Sequence, residues 1–221
     1  MAAPALIFDL DGTLVDSVYQ HVLAWHEALN SLGIELSVWR IHRRIGMSGG
    51  MFTRALLRET GRDLNDSLLE ALQAAHAEAY ARQIQSVSPL PGAVELLARL
   101  SNEGHLWAIA TSGRLETAQF TIDMLNVPKS IPVITHDRVP YAKPDPDLFL
   151  EAARQLDVDP MNAAVVGDSV WDLLAAKRAR MLGVGLLSGG YSTDELERAG
   201  AYRVYEDPSH LLRRLDEVGF R

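Results

Sequence analysis

Short unbroken apolar runs punctuate the chain: Ala5-Leu6-Ile7-Phe8, Leu106-Trp107-Ala108-Ile109-Ala110, Ile131 to Ile134, and Ala163-Ala164-Val165-Val166. A strand apolar at every position is buried on both faces, as strands of parallel sheets are. Each run leads into polar residues: Asp9-Leu10-Asp11-Gly12, Thr111-Ser112-Gly113, Thr135-His136-Asp137 and Gly167-Asp168-Ser169. Between the runs lie helical periods, Ala93, Leu96, Leu97 and Leu100, or Leu148, Ala152 and Leu156 after Pro144 and Pro146. Strands alternating with helices of roughly ten to fifteen residues predict βαβ units and an open parallel sheet. Ligands bind such sheets at the carboxyl ends of the strands, where all these polar clusters fall.

The stretch from Asp16 to Ser88 breaks the rhythm, for it contains no convincing strand. Val18, Val22, Trp25, Leu29 and Leu32 form one helical stripe after an N-cap at Asp16 or Ser17. A second helix is predicted over Ser67 to Gln83, with Leu68, Leu72, Ala75 and Ala79 on one face. Residues 16–88 are therefore expected to form an inserted helical domain, and 1–15 with 89–221 the sheet-bearing one. Ser88-Pro89-Leu90-Pro91-Gly92 is a turn-rich hinge candidate at the exit.

Composition narrows the function. A chain of 221 residues, 48% hydrophobic, can bury a sizeable core, and its formal charge of −8 repels nucleic acid and anionic membrane surfaces. A small anion held by local cations stays open. With no cysteine there is no disulfide, thiol nucleophile or thiolate zinc site. Met1 to Leu6 does not read as a signal peptide, and no apolar run approaches the roughly 20 residues that span a bilayer, so a soluble cytoplasmic protein is expected.

Asp9 and Asp11 are two apart at a strand end, and carboxylates this close repel unless a cation or shared proton relieves them. Taken alone, the motif reads equally as a polar turn. Asp168 and Asp172, four apart, share one face if a helix begins near Ser169, but an N-cap with an acidic first turn looks the same. Thr111-Ser112-Gly113 suits a capping turn or an anion cradle, and Lys143 reads as a surface lysine unless the fold brings it to the carboxylates.

Occurring jointly and in this order, these clusters resemble the four motifs of the haloacid dehalogenase superfamily, over essentially the whole chain. The motifs are Asp9-Leu10-Asp11-Gly12-Thr13-Leu14-Val15-Asp16-Ser17, Ala110-Thr111-Ser112-Gly113, Lys143-Pro144-Asp145-Pro146-Asp147, and Gly167 to Asp172. The subfamily resembled is that of phosphoglycolate phosphatase and β-phosphoglucomutase. It implies a Rossmann-like parallel sheet in a three-layer αβα core with an inserted α-helical cap. It further implies a Mg²⁺-dependent phosphatase in which Asp9 is the nucleophile, forming an aspartyl-phosphate, and Asp11 the acid and then base. The metal would be held by Asp9, Asp168 and the backbone carbonyl of Asp11, with Asp172 behind them. Thr111, Ser112, Lys143 and the backbone near Gly12 would bind the phosphoryl oxygens. The dehalogenases that name the family lack a second acid at the Asp11 position, so Asp11 favours phosphoryl transfer.

The segment Arg43-Arg44-Ile45-Gly46-Met47-Ser48-Gly49-Gly50 resembles the cap loop that reads the leaving group, with Arg43 or Arg44 as an anionic handle. Two arginines that simply face solvent are the plainer alternative. His21 sits where the mutases carry a histidine, but Gly49 stands where they would want an arginine for a second phosphate. No lysine precedes Lys129, which argues against phosphonoacetaldehyde hydrolysis by a cap Schiff base. Trp25, Trp39, Met47 and Met51 suit an apolar substrate wall or a helical core equally. The expected function is hydrolysis of a small phosphorylated metabolite, by a monomer or homodimer. Sugar-phosphate mutase and a non-catalytic phosphometabolite-binding protein are the alternatives. One departure concerns Ala179-Arg180-Met181, where relatives place a glycine at the helix end; Gly183 is the candidate substitute.

Overall fold

In the computed structural model, which describes residues 4–61 and 65–220, the strand β1 (Ala5–Phe8) is covered on both faces. Leu6 and Phe8 enter one apolar cluster, Ala5 and Ile7 the other, and all four are fully buried. Five more strands follow in chain order: β2 (Leu106–Ala110), β3 (Val133–Ile134), β4 (Ala163–Gly167), β5 (Leu182–Leu186) and β6 (Ala201–Tyr205). All pair parallel in one sheet of order β3-β2-β1-β4-β5-β6. Five α-helices lie between β1 and β2 among the described residues, and the first four belong to the insertion: α1 (Val18–Ser31), α2 (Val38–His42), α3 (Gly49–Thr60) and α4 (Asp66–Gln83). Then come α5 (Ala93–Asn102), α6 (Leu115–Met124), α7 (Asp147–Gln155), α8 (Val170–Arg178), α9 (Thr193–Ala199) and α10 (Pro208–Leu212).

Leu96, Leu97 and Leu100 of α5 and Ile122 of α6 cover one face of the sheet, and Leu148 and Phe149 of α7 with Ala175 and Ala176 of α8 cover the other. Each fully buried Leu or Phe contributes about 1.5–3 kcal/mol. Phe8 meets Trp107 edge to face, with centroids 6.5 Å apart, a geometry that adds about 1 kcal/mol.

The predicted run from Ile131 forms a strand only at Val133–Ile134, because Pro132 has no N–H to give and only its carbonyl pairs, with Ile109. The strands β5 and β6 have no counterpart in the sequence reading. A Cβ on Gly183 would lie 3.0 Å from Leu173 and one on Gly185 3.0 Å from Leu196, so these glycines let α8 and α9 close onto the sheet. The missing glycine after α8 is not replaced by Gly183, which lies within β5. Arg180 itself takes the left-handed conformation at φ +60°.

The helical insertion carries its own core, in which Val18, Val22, Trp25 and Leu29 of α1 pack with Phe52, Leu56 and Leu57 of α3 and Leu72 of α4. Its N-cap is Ser17, whose hydroxyl makes no capping bond and serves the site instead. The two connections to the sheet run side by side. Asp16 N–H donates to Ser88 O and Leu90 N–H to Leu14 O, each at 2.9 Å.

Candidate active site

In the order β3-β2-β1-β4-β5-β6 the chain leaves β1 in one direction and returns at β4 in the other, which opens a crevice beyond the ends of those two strands. Asp9 follows β1 and Asp168 follows β4, so the topology alone brings them together. Asp172, in the first turn of α8, completes a buried group whose carboxylate oxygens lie within 4.8 Å of one another. Lys143, 1% exposed, donates to Asp9 Oδ1 and, at 2.8 Å, to Asp172 Oδ1. Thr13 Oγ1 donates to Asp168 Oδ1 at 2.9 Å, and Ser169 holds Asp172 Oδ2 through its N–H and hydroxyl.

Three carboxylates against one lysine leave the cluster short of positive charge. Burial pushes Asp9 up to about 7; Lys143 opposes this, while Asp172 and Asp11 add to it. Burial, then the charges of Asp172 and Asp9, hold Asp168 well above the carboxylate range. Burial alone would lower Lys143, but Asp172 and Asp9 outweigh it and hold the ammonium above its ordinary value.

Asp11 is placed differently. Its carboxylate is half-buried, and its described hydrogen bonds all reach one oxygen: Ser17 Oγ donates to Oδ1 at 2.6 Å, and His21 Nε2 lies 3.3 Å from the same atom. Among the described residues nothing bonds to Oδ2. Burial raises Asp11, but the charge and hydrogen bond of His21, the Ser17 hydroxyl and Lys143 together bring it below the usual range. Gly12, at φ +81°, turns the chain between the two acids, and its N–H is committed to Val15 O at 2.8 Å. A phosphate cradle at this turn would therefore use N–H groups beside Gly12 rather than its own. Thr111, 1% exposed at the end of β2, accepts from Gly113 N–H at 3.0 Å, and Ser112 Oγ donates to Gly46 O at 3.1 Å.

The profile of the haloacid dehalogenase-like hydrolases matches residues 3–180. The chain belongs to this family. A protein named "Probable phosphatase IndB" from Dickeya dadantii (strain 3937) is 32% identical over 214 residues, covering 95% of this chain and 92% of that one. The β-phosphoglucomutase of Bacillus subtilis (strain 168) is 30% identical over 190 residues, 84% of each chain. Among solved structures, a hydrolase from Pseudomonas syringae is 53% identical with a TM-score of 0.94, covering 97% of this chain and 99% of its own.

Haloacid dehalogenase-like hydrolases generally use Mg²⁺, and the donor set here fits a hard divalent cation: oxygens alone, buried, and in excess of the local positive charge. Backbone closes tightly around Asp168 Oδ2, since a Cβ on Gly12 would come within 2.5 Å of it and one on Gly189 within 1.8 Å. Gly189 belongs to the turn after β5, a segment with no part in the sequence reading. The only hint of it is the adjacent pair Gly189-Gly190.

In this hydrolase the segment from Arg43 to Gly50, expected to be the cap loop, packs onto residues that follow β2 and β4. Gly46, at φ +94°, lies so close to Ser169 that a Cβ would come within 2.8 Å of its hydroxyl, while Met47 packs into the cap core. Arg43 and Arg44, the candidate anionic handles, already have partners. Arg44 bonds Glu59 and Arg40 O, and Arg43 bonds Glu195 of α9 and stacks 4.2 Å over Tyr191. Tyr191 Oη and Trp171 Nε1 both donate to Arg43 O, at 3.1 and 3.3 Å. Trp25 is buried against Phe52, whereas Trp39 and Met51 are exposed. The Arg43–Glu195 pair is half-exposed, so it is worth about 1 kcal/mol with its aromatic contact. Arg43→Ala is accordingly expected to speed amide hydrogen exchange about fivefold over residues 187–200 and at the paired connections, leaving β1 and β4 unchanged. Exchange that rises equally across the sheet, or not at all, would refute a cap-to-core role.

Proposed function

We propose that this hydrolase is a Mg²⁺-dependent phosphatase of small soluble phosphomonoesters. The observation that carries the reading is the unequal placement of two acids two residues apart: Asp9 buried on Lys143, Asp11 with Oδ2 unbonded among the described residues. Asp9 attacks phosphorus, and the bond from phosphorus to the leaving alcohol oxygen breaks as the aspartyl-phosphate forms. Asp11 Oδ2 gives that oxygen its proton, then takes one from the water that cleaves the intermediate and releases phosphate, which restores the Asp9 carboxylate. In the free protein His21 favours ionised Asp11; an arriving phosphate dianion opposes that bias, so the acid is loaded when substrate is present. Lys143, Thr111 and backbone N–H groups near Ser112 bind the equatorial oxygens, where charge is spread in the transition state. Asp9, Asp168 and the Asp11 carbonyl would hold the cation, with Asp172 fixing Lys143 and the turn at Ser169. Bound Mg²⁺ supplies the missing positive charge and polarises the phosphoryl group. The paired connections at Val15 and Pro89 serve as the hinge between a catalytic domain, 1–15 with 89–221, and the cap, 16–88.

Sugar-phosphate mutase is the second reading, favoured by similarity to β-phosphoglucomutase. Against it, Gly49 offers no cation for a second phosphate and has nothing within 4 Å of where its Cβ would be. A mutase would give isomerised product in excess of free phosphate when primed with a bisphosphate.

A phosphate-release screen of small phosphomonoesters with Mg²⁺ tests the proposal. EDTA is expected to abolish release and added Mg²⁺ to restore it. Unfolding gives a separate readout. Because the folded pKa of Asp9 is raised to about 7, its share of metal-free stability is present below about pH 4 and is lost as pH rises through 7. Mg²⁺ should therefore raise Tm by several degrees at pH 8 and by much less at pH 5. Release that survives EDTA, or a Tm indifferent to Mg²⁺ at pH 8, would sink the metal-dependent reading.

A further inference from the structure

His76 has no place in the four motifs, yet it stands directly behind the acid. It lies on α4, and its Nε2 is 3.3 Å from Nδ1 of His21, whose Nε2 reaches Asp11 Oδ1 at 3.3 Å. Both imidazoles are clamped by rings. Tyr80 stacks on His21 with centroids 3.9 Å apart and planes 7° from parallel; Trp25 stacks on His76 at 4.0 Å and 14°. The direction of the hydrogen bonds follows from chemistry. An ionised carboxylate only accepts, so His21 Nε2 must carry the hydrogen that faces Asp11. His21 Nδ1 meets His76 Nε2 in either charge state: protonated, it donates to the lone pair of His76, and neutral, it accepts from the N–H of His76.

We infer that His76 is a positioning residue, whose Nε2 bonds His21 Nδ1 and so keeps the Nε2 hydrogen of His21 turned to Asp11 Oδ1, leaving Oδ2 for the leaving-group oxygen. Burial, then the neighbouring His21, hold His76 well below the ordinary imidazole range, so a neutral ring with one N–H and one lone pair faces His21. Without that partner the His21 ring loses its hold at Nδ1, and its Nε2 hydrogen is free to leave Asp11 Oδ1. The aromatic clamp explains why a helix rich in alanine carries His76 and Tyr80 four residues apart, on one face toward α1.

This inference rests on the phosphatase reading, and the leaving group separates the two. p-Nitrophenol departs from phosphorus without a proton, whereas phenol, with a pKa of about 10 like the tyrosine side chain, needs one. The parameter to compare is kcat/KM, which reports formation of the aspartyl-phosphate, for phenyl and p-nitrophenyl phosphate with Mg²⁺. Asp11→Asn serves as the reference and should lose far more on phenyl phosphate. His76→Phe keeps the stack on Trp25 but cannot hydrogen-bond His21, and it is expected to lose roughly tenfold more on phenyl than on p-nitrophenyl phosphate. His76→Gln restores an amide that can donate or accept at similar reach and should return the ratio to within about threefold of the wild type. Should His76→Phe fail to fold, His76→Asn, whose shorter amide stops short of His21, takes its place against His76→Gln. Equal losses on both substrates, or no rescue by glutamine, overturn the role of His76 while the Asp11→Asn bias stands. If Asp11→Asn itself shows no bias, or the wild-type protein releases phosphate from neither ester, the phosphatase reading falls and the role of His76 with it.

Discussion

Asp9→Asn is expected to reduce phosphate release at least about 10⁴-fold, because the amide cannot form the phosphorylated intermediate. It should do so without unfolding the protein. The substituted amide keeps an oxygen that can accept from Lys143, and the change removes one of three crowded buried carboxylates. The sign can be checked in the metal-free protein. Asp9 has a folded pKa of about 7, above its unfolded value, so the wild type loses stability as pH rises through 7, and the Asp9→Asn variant does not share that loss. At pH 8 the metal-free variant should therefore melt no lower than the wild type. Retention of more than about a hundredth of wild-type activity would remove Asp9 from the nucleophile's role. A fall in Tm at pH 8 would instead refute the account of crowded carboxylates.

Lys143→Met should have the largest effect on stability. Its ammonium is the one cation bonded to the buried acids among the described residues, and taking one partner out of a buried ion pair costs about 3–5 kcal/mol. For a chain of this length that is a fall of roughly 10 °C in Tm. The pH dependence identifies the cause. The raised pKa of Lys143 means that its contribution is fully present below its unfolded value and is lost only above its folded one, so in the wild type it is constant between pH 5 and 9. In the variant, Asp9 and Asp168 can take up protons at pH 5 but much less readily at pH 8. The loss should therefore be large at pH 8, smaller at pH 5, and partly recovered with Mg²⁺. Thermal melts of wild type and variant at the two pH values decide it, and an equal loss at both would mean that packing, not charge, is what Lys143 supplies. Turnover should also fall, since the same ammonium is proposed to bind the phosphoryl oxygens.

Much of this was legible in the sequence because parallel sheets advertise themselves. Ala5–Phe8, Leu106–Ala110 and Ala163–Val166 are apolar without interruption, and the polar residues after them had to emerge along one edge. Lys143 was legible only through its motif, for nothing in its own neighbourhood says that it will be buried. What stayed hidden depends on contacts between distant segments. Arg43 and Arg44 look like free handles until Glu195 and Glu59 are placed against them. Gly183 and Gly185 disguise β5, because the alternation of a strand vanishes where helices press on it. Arg180 stands in the left-handed turn usually given to glycine, so a missing glycine did not mean a changed turn. His76 carries the faintest mark of all, a histidine one helical turn from Tyr80, and it acquires meaning only when α4 is laid along α1.

The turn after β5 touches both halves of the protein. Gly189 has its Cα pressed against Asp168 and its carbonyl 2.8 Å from His42 of α2, while Ser188 donates to Gly12 O at 2.6 Å. The bridge joins α2 to the wall of the acidic cluster through close contact and two hydrogen bonds. Thermodynamic linkage then runs in both directions: by whatever factor a closed cap tightens the hold on a cation, the cation tightens the hold on the closed cap. On the phosphatase reading, a substrate held beside α2 and a cation held at the acidic cluster would be linked through one three-residue turn.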